Sequence, residues 1–266
     1  MTLTHAVLAL VAIIEREALR FIYQRERFIA ALVRPLLWLF VFAAGFRAAL
    51  GVSIIPPYQT YVPYEVYVVP GLAGMILLFA GMQSSLAMVY DREMGSMRVL
   101  LTSPLPRWFL LCSKLLAGTL VAVLQVYAFL LIALLYGVRI PVFGFITVFP
   151  ALLLGGMALG AIGLFLSSLI KQLENFAGVM NFVIFPAFFL SSALYPLWKM
   201  KESSRLLFWI CTFNPFTHVV EFIRFALYAS LSPIGLGVTA LTFVFFAVLA
   251  ALSYDPRRSM IKRQVS

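Results

Sequence analysis

Long apolar runs broken by short charged segments set the pattern of this chain. A helix needs about 20 apolar residues to cross a hydrocarbon core of ~30 Å. Reading from charge to charge gives six runs of about that length or more, at residues 33–50, 66–90, 115–138, 140–170, 175–198 and 225–254. The first carries Arg34 at one end and Arg47 near the other, where long stems let both charges reach the headgroups. The last includes Ser232-Pro233, and its span is expected to start near that break. A seventh run, 206–220, is too short to cross and holds Asn214-Pro215. It is expected to be a re-entrant or interfacial piece. The pattern predicts an all-α membrane protein with six transmembrane helices and an outer re-entrant hairpin at 199–231, before the sixth span.

Ahead of the first span, Ala18, Phe21, Ile22, Phe28 and Ile29 recur at helical spacing, and Arg16, Arg20, Gln24 and Arg27 share the other side. This predicts an amphipathic helix lying in the cytoplasmic interface. The apolar run 3–14 lacks the basic flank and small-residue cleavage site of a signal peptide, so it is expected to be retained. The organisation expected is a cytoplasmic N-terminus with its interfacial helix (1–32), a six-span domain (33–254) and a cytoplasmic basic tail (255–266).

Composition agrees with the pattern. Of 266 residues, 63% are hydrophobic and 11% charged, which lies outside the range of soluble domains. The mean hydropathy is +1.02. A net charge of +10 would suit nucleic acid in a soluble protein. Here the basic residues cluster between apolar runs, so membrane lipids are the expected anionic partner and nucleic acid is not. With both termini inside, 14 of the 20 basic residues face the cytoplasm, Arg16, Arg92, Lys114 and Arg257 among them. The six outside are Arg47, Arg139, Lys199, Lys201, Arg205 and Arg224, and the positive-inside rule selects this orientation. Tyr58, Tyr61, Tyr64 and Tyr67 then fall at the outer end of the second span.

Catalytic signatures are scarce. The chain has no Gly-x-x-x-x-Gly-Lys-Ser/Thr phosphate loop, no His-Glu-x-x-His and no Gly-x-Ser-x-Gly. His5 and His218 are isolated, and Cys112 and Cys211 fit no metal-ligand spacing. No catalytic, cofactor or metal residue is expected. Every acidic residue lies at a span boundary or in a loop, which counts against proton coupling at depth. Gly156-x-x-x-Gly160 in the fourth span permits close helix approach, either within the chain or at an oligomer face.

One segment stands out: residues 91–107, between the second and third spans. Asp91, Arg92 and Glu93 open it, Met94, Met97 and Leu100-Leu101 make it apolar for a linker, and Pro104 and Pro106 close it. By itself it reads equally as a solvated connection or as a short helix suited to a cytosolic partner's groove.

Here the sequence resembles a family. Glu93-x-Gly95-Ser96-x-Arg98, Leu100-Leu101, Ser103-Pro104-Leu105-x-Arg107 and Lys114 resemble the intracellular loop of type-2 ABC export permeases. The helix before Arg34-Pro35 resembles that family's elbow helix, Val69-Pro70-Gly71 the start of its second span, and Asn214-Pro215 with Glu221-x-x-Arg224 its outer hairpin. The resemblance implies a permease that pairs with a second copy of itself and with two ABC ATPase subunits, which alone bind ATP and Mg. It implies that Arg92, Glu93, Gly95, Ser96, Met97, Arg98, Leu100 and Leu101 couple to the ATPase, together with the interfacial helix bearing Arg16, Arg20, Phe21 and Arg27. It also implies export of a drug, lipid or lipid-linked glycan across a bacterial or archaeal inner membrane. Two other classes remain open: a membrane-embedded lipid-modifying enzyme, for which Glu221 with Arg224 is the one outer pair worth naming, and a stand-alone secondary transporter.

Overall fold

A computed structural model describes residues 3–23, 25–42, 45, 56–58, 62–93, 106–170 and 172–253, and every regular element among them is a helix. In chain order these are α1 (Leu3–Tyr23), α2 (Arg25–Leu37) with a π-helical turn at Trp38–Phe42, α3 (Tyr64–Glu93), α4 (Arg107–Leu135), α5 (Gly144–Thr147), α6 (Phe149–Leu169), α7 (Leu173–Phe189), α8 (Leu197–Ser203), α9 (Arg205–Phe213), α10 (Pro215–Leu227) and α11 (Pro233–Ser253). Among the described residues, four stretches are long and apolar enough to cross a membrane: Tyr64–Asp91, Trp108–Leu135, Gly144–Leu169 and Pro233–Ser253. The bent pair α9 and α10 makes a fifth candidate.

α3 is the central helix. Its sequence is apolar on all sides, and residues 67–79 are buried without interruption. Such a helix must be surrounded. α6, α4, α10, α7 and α2 all pack against it. The α6 glycines permit close approach to α4 and α3: a Cβ on Gly156 would lie 2.6 Å from the Thr119 side chain of α4, and one on Gly163 2.6 Å from the Ser85 hydroxyl of α3. The small-residue run therefore serves helix packing within the chain. α11 lies at the periphery, burying Gly235, Thr239, Thr242 and Ala250 toward the bundle while Leu241, Val244, Phe245 and Leu252 are exposed. α4 ends in a Schellman turn, in which Gly137 adopts φ +101° and the Val138 N–H donates to the Ala133 carbonyl at 3.0 Å.

Several boundaries differ from the sequence expectation. The 175–198 run is helical only from Leu173 to Phe189. Pro186 lacks an N–H, and Ser191 turns its hydroxyl back to the Phe188 carbonyl while accepting from the Ala193 N–H. These local bonds compete with helix continuation. The 140–170 span begins at Gly144 instead and is interrupted at Val148. The 206–220 run bends by 75° at Asn214-Pro215. The last span starts at Pro233, as its proline suggests. Residues 3–14, read apart from the amphipathic segment, form one helix with 15–23, and a separate α2 follows. Arg34, expected to extend to headgroups, has its guanidinium over the Phe79 ring, 3.9 Å from the centroid. Residues 46–50 and the 255–266 tail lie outside the described residues.

Candidate functional site

Part of the segment expected between α3 and α4 belongs to the helices themselves. Asp91, Arg92 and Glu93 form the last turn of α3, and Arg107 opens α4, so the connection runs from 94 to 106. Gly95, Ser96, Met97, Arg98, Leu100 and Leu101 lie outside the described residues. Asp91 and Glu93 occupy the helix end where the macrodipole disfavours anions. Asp91 meets Lys114 across the connection: Nζ donates to Oδ2 at 2.8 Å, with side-chain exposures of 8% for Lys114 and 18% for Asp91. Glu93 is exposed. Just inside this pair, Gly81, Ser84, Ser85, Gly118, Thr119 and Gly156 help line a cavity of about 20 Å³, the room one water molecule needs.

The N-terminal helices pack on the same two helices. α1 packs on α4, and α2 on α3 and α4. Arg16 is exposed and donates to its neighbour Glu17 at 3.0 Å. Phe21 of α1 and Phe28 of α2 meet edge-to-face at 5.3 Å. Arg20 and Arg27 belong to α1 and α2 respectively.

A second cluster lies at the N-terminal end of α3. Asn214 caps α10: its Oδ1 accepts from the Phe216 N–H at 3.0 Å, and Pro215 takes the first helical position. The same side chain donates Nδ2 to the carbonyls of Ala187 and Leu190 at 2.8 and 2.7 Å, tying the α9–α10 bend to the end of α7. His218 donates Nε2 to the Thr212 carbonyl at 2.8 Å, so its ring is engaged across the same bend.

One turn further on, Arg224 is 1% exposed. Its Nη2 donates to the Ser192 carbonyl at 2.9 Å and its Nη1 to the Tyr67 carbonyl at 3.3 Å. The guanidinium lies 3.8 Å from the centroid of the Tyr67 ring, whose hydroxyl also donates to Ser192 at 2.9 Å. Glu221 supplies the counter-charge, Oε1 to Nε at 3.5 Å, and is one-quarter exposed. Burial pushes the nearby Tyr58 phenol above the usual tyrosine range, and the Arg224 charge pulls the other way.

The ion pair between Glu221 and Arg224 was legible from their i, i+3 spacing, whereas the burial of Arg224 and its tie to Tyr67 and Ser192 were not. Asn214 and Pro215 join the same end of the bundle. The α3–α4 end is separate from it, at opposite termini of a 30-residue helix. Sequence reasoning placed Lys114 beside the intracellular loop motif but gave it no partner; its pairing with Asp91 depends on how α3 and α4 pack.

An all-helical chain with several apolar helices of membrane-crossing length is a multi-pass membrane protein. It belongs to the ABC-2 type transporter family, whose model matches residues 9–228. Among curated relatives, it is 32% identical over 167 residues to the probable multidrug ABC transporter permease YbhR of Escherichia coli (strain K12), covering 62% of this chain and 44% of the relative. It is 28% identical over 200 residues to the putative transport permease ycf38 of Cyanophora paradoxa, covering 74% and 66%. Against ycf38 of Porphyra purpurea the values are 27% over 217 residues, 80% and 72%. The chain thus spans just under two thirds of the Cyanophora relative and less than half of YbhR.

Proposed function

We propose that this chain is the membrane permease subunit of an ATP-driven ABC exporter. It moves an amphipathic cargo, such as a drug, lipid or lipid-linked glycan, out of the cytoplasm or inner leaflet. Two copies form the pathway, and two ABC ATPase subunits bind ATP and Mg and drive it. The observation that carries this reading is the family match across residues 9–228. The name of the YbhR relative, a probable multidrug permease, supports a drug-like cargo.

In the topology proposed, residues 33–50 form the first span, α3 and α4 the next two, α5 with α6 the fourth, α7 the fifth and α11 the sixth. α8 to α10 make the re-entrant hairpin, and α1 with the start of α2 the interfacial element. Both termini face the cytoplasm of a bacterial or archaeal inner membrane, as the basic-residue distribution favours. At 17 residues α7 is about 25 Å long by helical rise, so the turn after it completes the crossing. The inward aim of Arg224 favours transport over the lipid-modifying enzyme. Its guanidinium donates to two backbone carbonyls rather than facing a reactant.

Co-purification with candidate ABC ATPases, followed by reconstitution, tests the reading. The purified permease alone is expected to turn over no ATP, and the complex to hydrolyse ATP and move cargo. Robust hydrolysis by the partner-free chain, or transport without any ATPase, would sink the proposal.

The exposed Glu93, at a helix end that offers it no stabilisation, is placed for a contact outside this chain. Glu93→Gln and Gly95→Val are expected to leave membrane insertion intact. Each should lower transport and cargo-stimulated ATP hydrolysis together, Glu93→Gln by about thirtyfold or more where Glu93 is desolvated in the contact and by much less at a rim. Wild-type transport by both variants would reduce the segment to a linker.

A further inference from the structure

We infer that Asp91 and Lys114 form a clamp that holds the ends of α3 and α4 together, so that a push on the intervening segment moves both helices as one body. The inference deepens the proposed permease function and rests on it for its mechanical meaning. The clamp itself is a property of this chain alone.

The pair's position is specific. The two residues lie 23 positions apart, bracket the 94–106 connection and meet at 2.8 Å with little exposure. Helix stability does not account for Asp91, which sits in the last turn of α3, where an anion opposes the macrodipole. Nor does solvation favour Lys114, which is 6% exposed and in the second turn of an apolar helix. Each charge is costly alone, and the pairing offsets that cost.

Deeper along the same two helices the contact rests on small residues. Gly118 faces Ser84, and the small cavity opens beside Lys114 among Gly81, Ser84, Ser85 and Gly156. A Cβ on Gly118 would come within 2.9 Å of the Ser84 hydroxyl, so the two helices lie close there. Toward their ends Met88, Leu111 and Leu115 share an apolar cluster, and the ion pair adds a directional tie that this non-directional contact does not supply when the connection is loaded. Asp91 and Lys114 are thus positioning residues, acting through the helices they join.

The swap provides a sharp test. Asp91→Lys with Lys114→Asp restores the pair in reverse and places a cation at the C-terminal end of α3, where the dipole favours it. Backbone amide exchange is followed on the purified chain in lipid nanodiscs for the last two turns of α3 and the first two of α4. Asp91→Asn and Lys114→Met are each expected to speed exchange there by about tenfold, leaving α11 unchanged, and the swap to return it toward wild type. Wild-type exchange in both single variants would overturn the clamp, as would a swap no slower than the singles. In the complex with ATPase, the single variants are expected to hydrolyse ATP with less cargo moved per ATP, and the swap to recover that ratio. An unchanged ratio in the singles would overturn the coupling role. Should no ATPase bind the wild-type chain, the proposed function fails, while the exchange comparison still decides the clamp.

Discussion

Replacing Arg224 by leucine is expected to destabilise the folded protein by about 3 kcal/mol, read as a fall in Tm of the detergent-solubilised chain. A hydrogen bond from a charged donor contributes about 1.5–3 kcal/mol, and Arg224 makes two to backbone carbonyls of separate segments. Its stacking on Tyr67 adds to this. Leucine avoids the cost of burying a cation, which offsets part of the loss. It also leaves Glu221 without its counter-charge and removes the Arg224 bonds to the Tyr67 and Ser192 carbonyls, the latter keeping only the Tyr67 hydroxyl as a side-chain donor. Arg224→Lys should fall between the two, because an ammonium lacks the planar fork that reaches both oxygens. If the leucine variant melts with wild type, Arg224 is not the joint between α10, α3 and the turn after α7.

The Gly71→Ala variant is expected to lose about as much. A Cβ on Gly71 would overlap the Ala193 carbonyl oxygen and come within 2.7 Å of the Ala193 Cα. Overpacking costs about 1–3 kcal/mol against movable side chains. Backbone gives way less readily, so this site belongs at the upper end. The contrast is Gly160→Ala, where a Cβ would meet the Leu115 side chain at 3.5 Å and the Gly81 Cα at 3.9 Å, both ordinary contacts. There the helix gains up to about 1 kcal/mol of propensity with no clash. Thermal unfolding of the two variants side by side should give shifts of opposite sign. Two equal, small shifts would mean that α3 does not approach the 191–195 turn this closely.

The two variants probe what a linear reading misses. Gly71 and Ala193 are more than a hundred positions apart, as are Arg224 and Tyr67. Nothing near Arg224 in sequence announces burial, since a lone cation in an apolar helix reads as naturally at a membrane surface. The helix ends were equally hidden. Trp108 to Leu111 continue α4 toward the connection, with Leu111 buried in a cluster that includes Met88 and Leu164, while apolarity alone placed the start of that span later.

Local chemistry, by contrast, was decisive where it acts over a few residues. Pro233 starts a helix, Asn214-Pro215 bends one, and the continuous apolarity of α3 marks it as buried on every side. The helical class, the membrane setting and the family motifs follow from composition, periodicity and short spacings, because transfer free energy and backbone geometry act residue by residue. The partners of Arg224, the pairing of Asp91 with Lys114 and the close contacts of the α6 glycines were decided only by tertiary structure. A desolvated charge or a missing Cβ takes its meaning from the group opposite it, and only the packed bundle says which group that is.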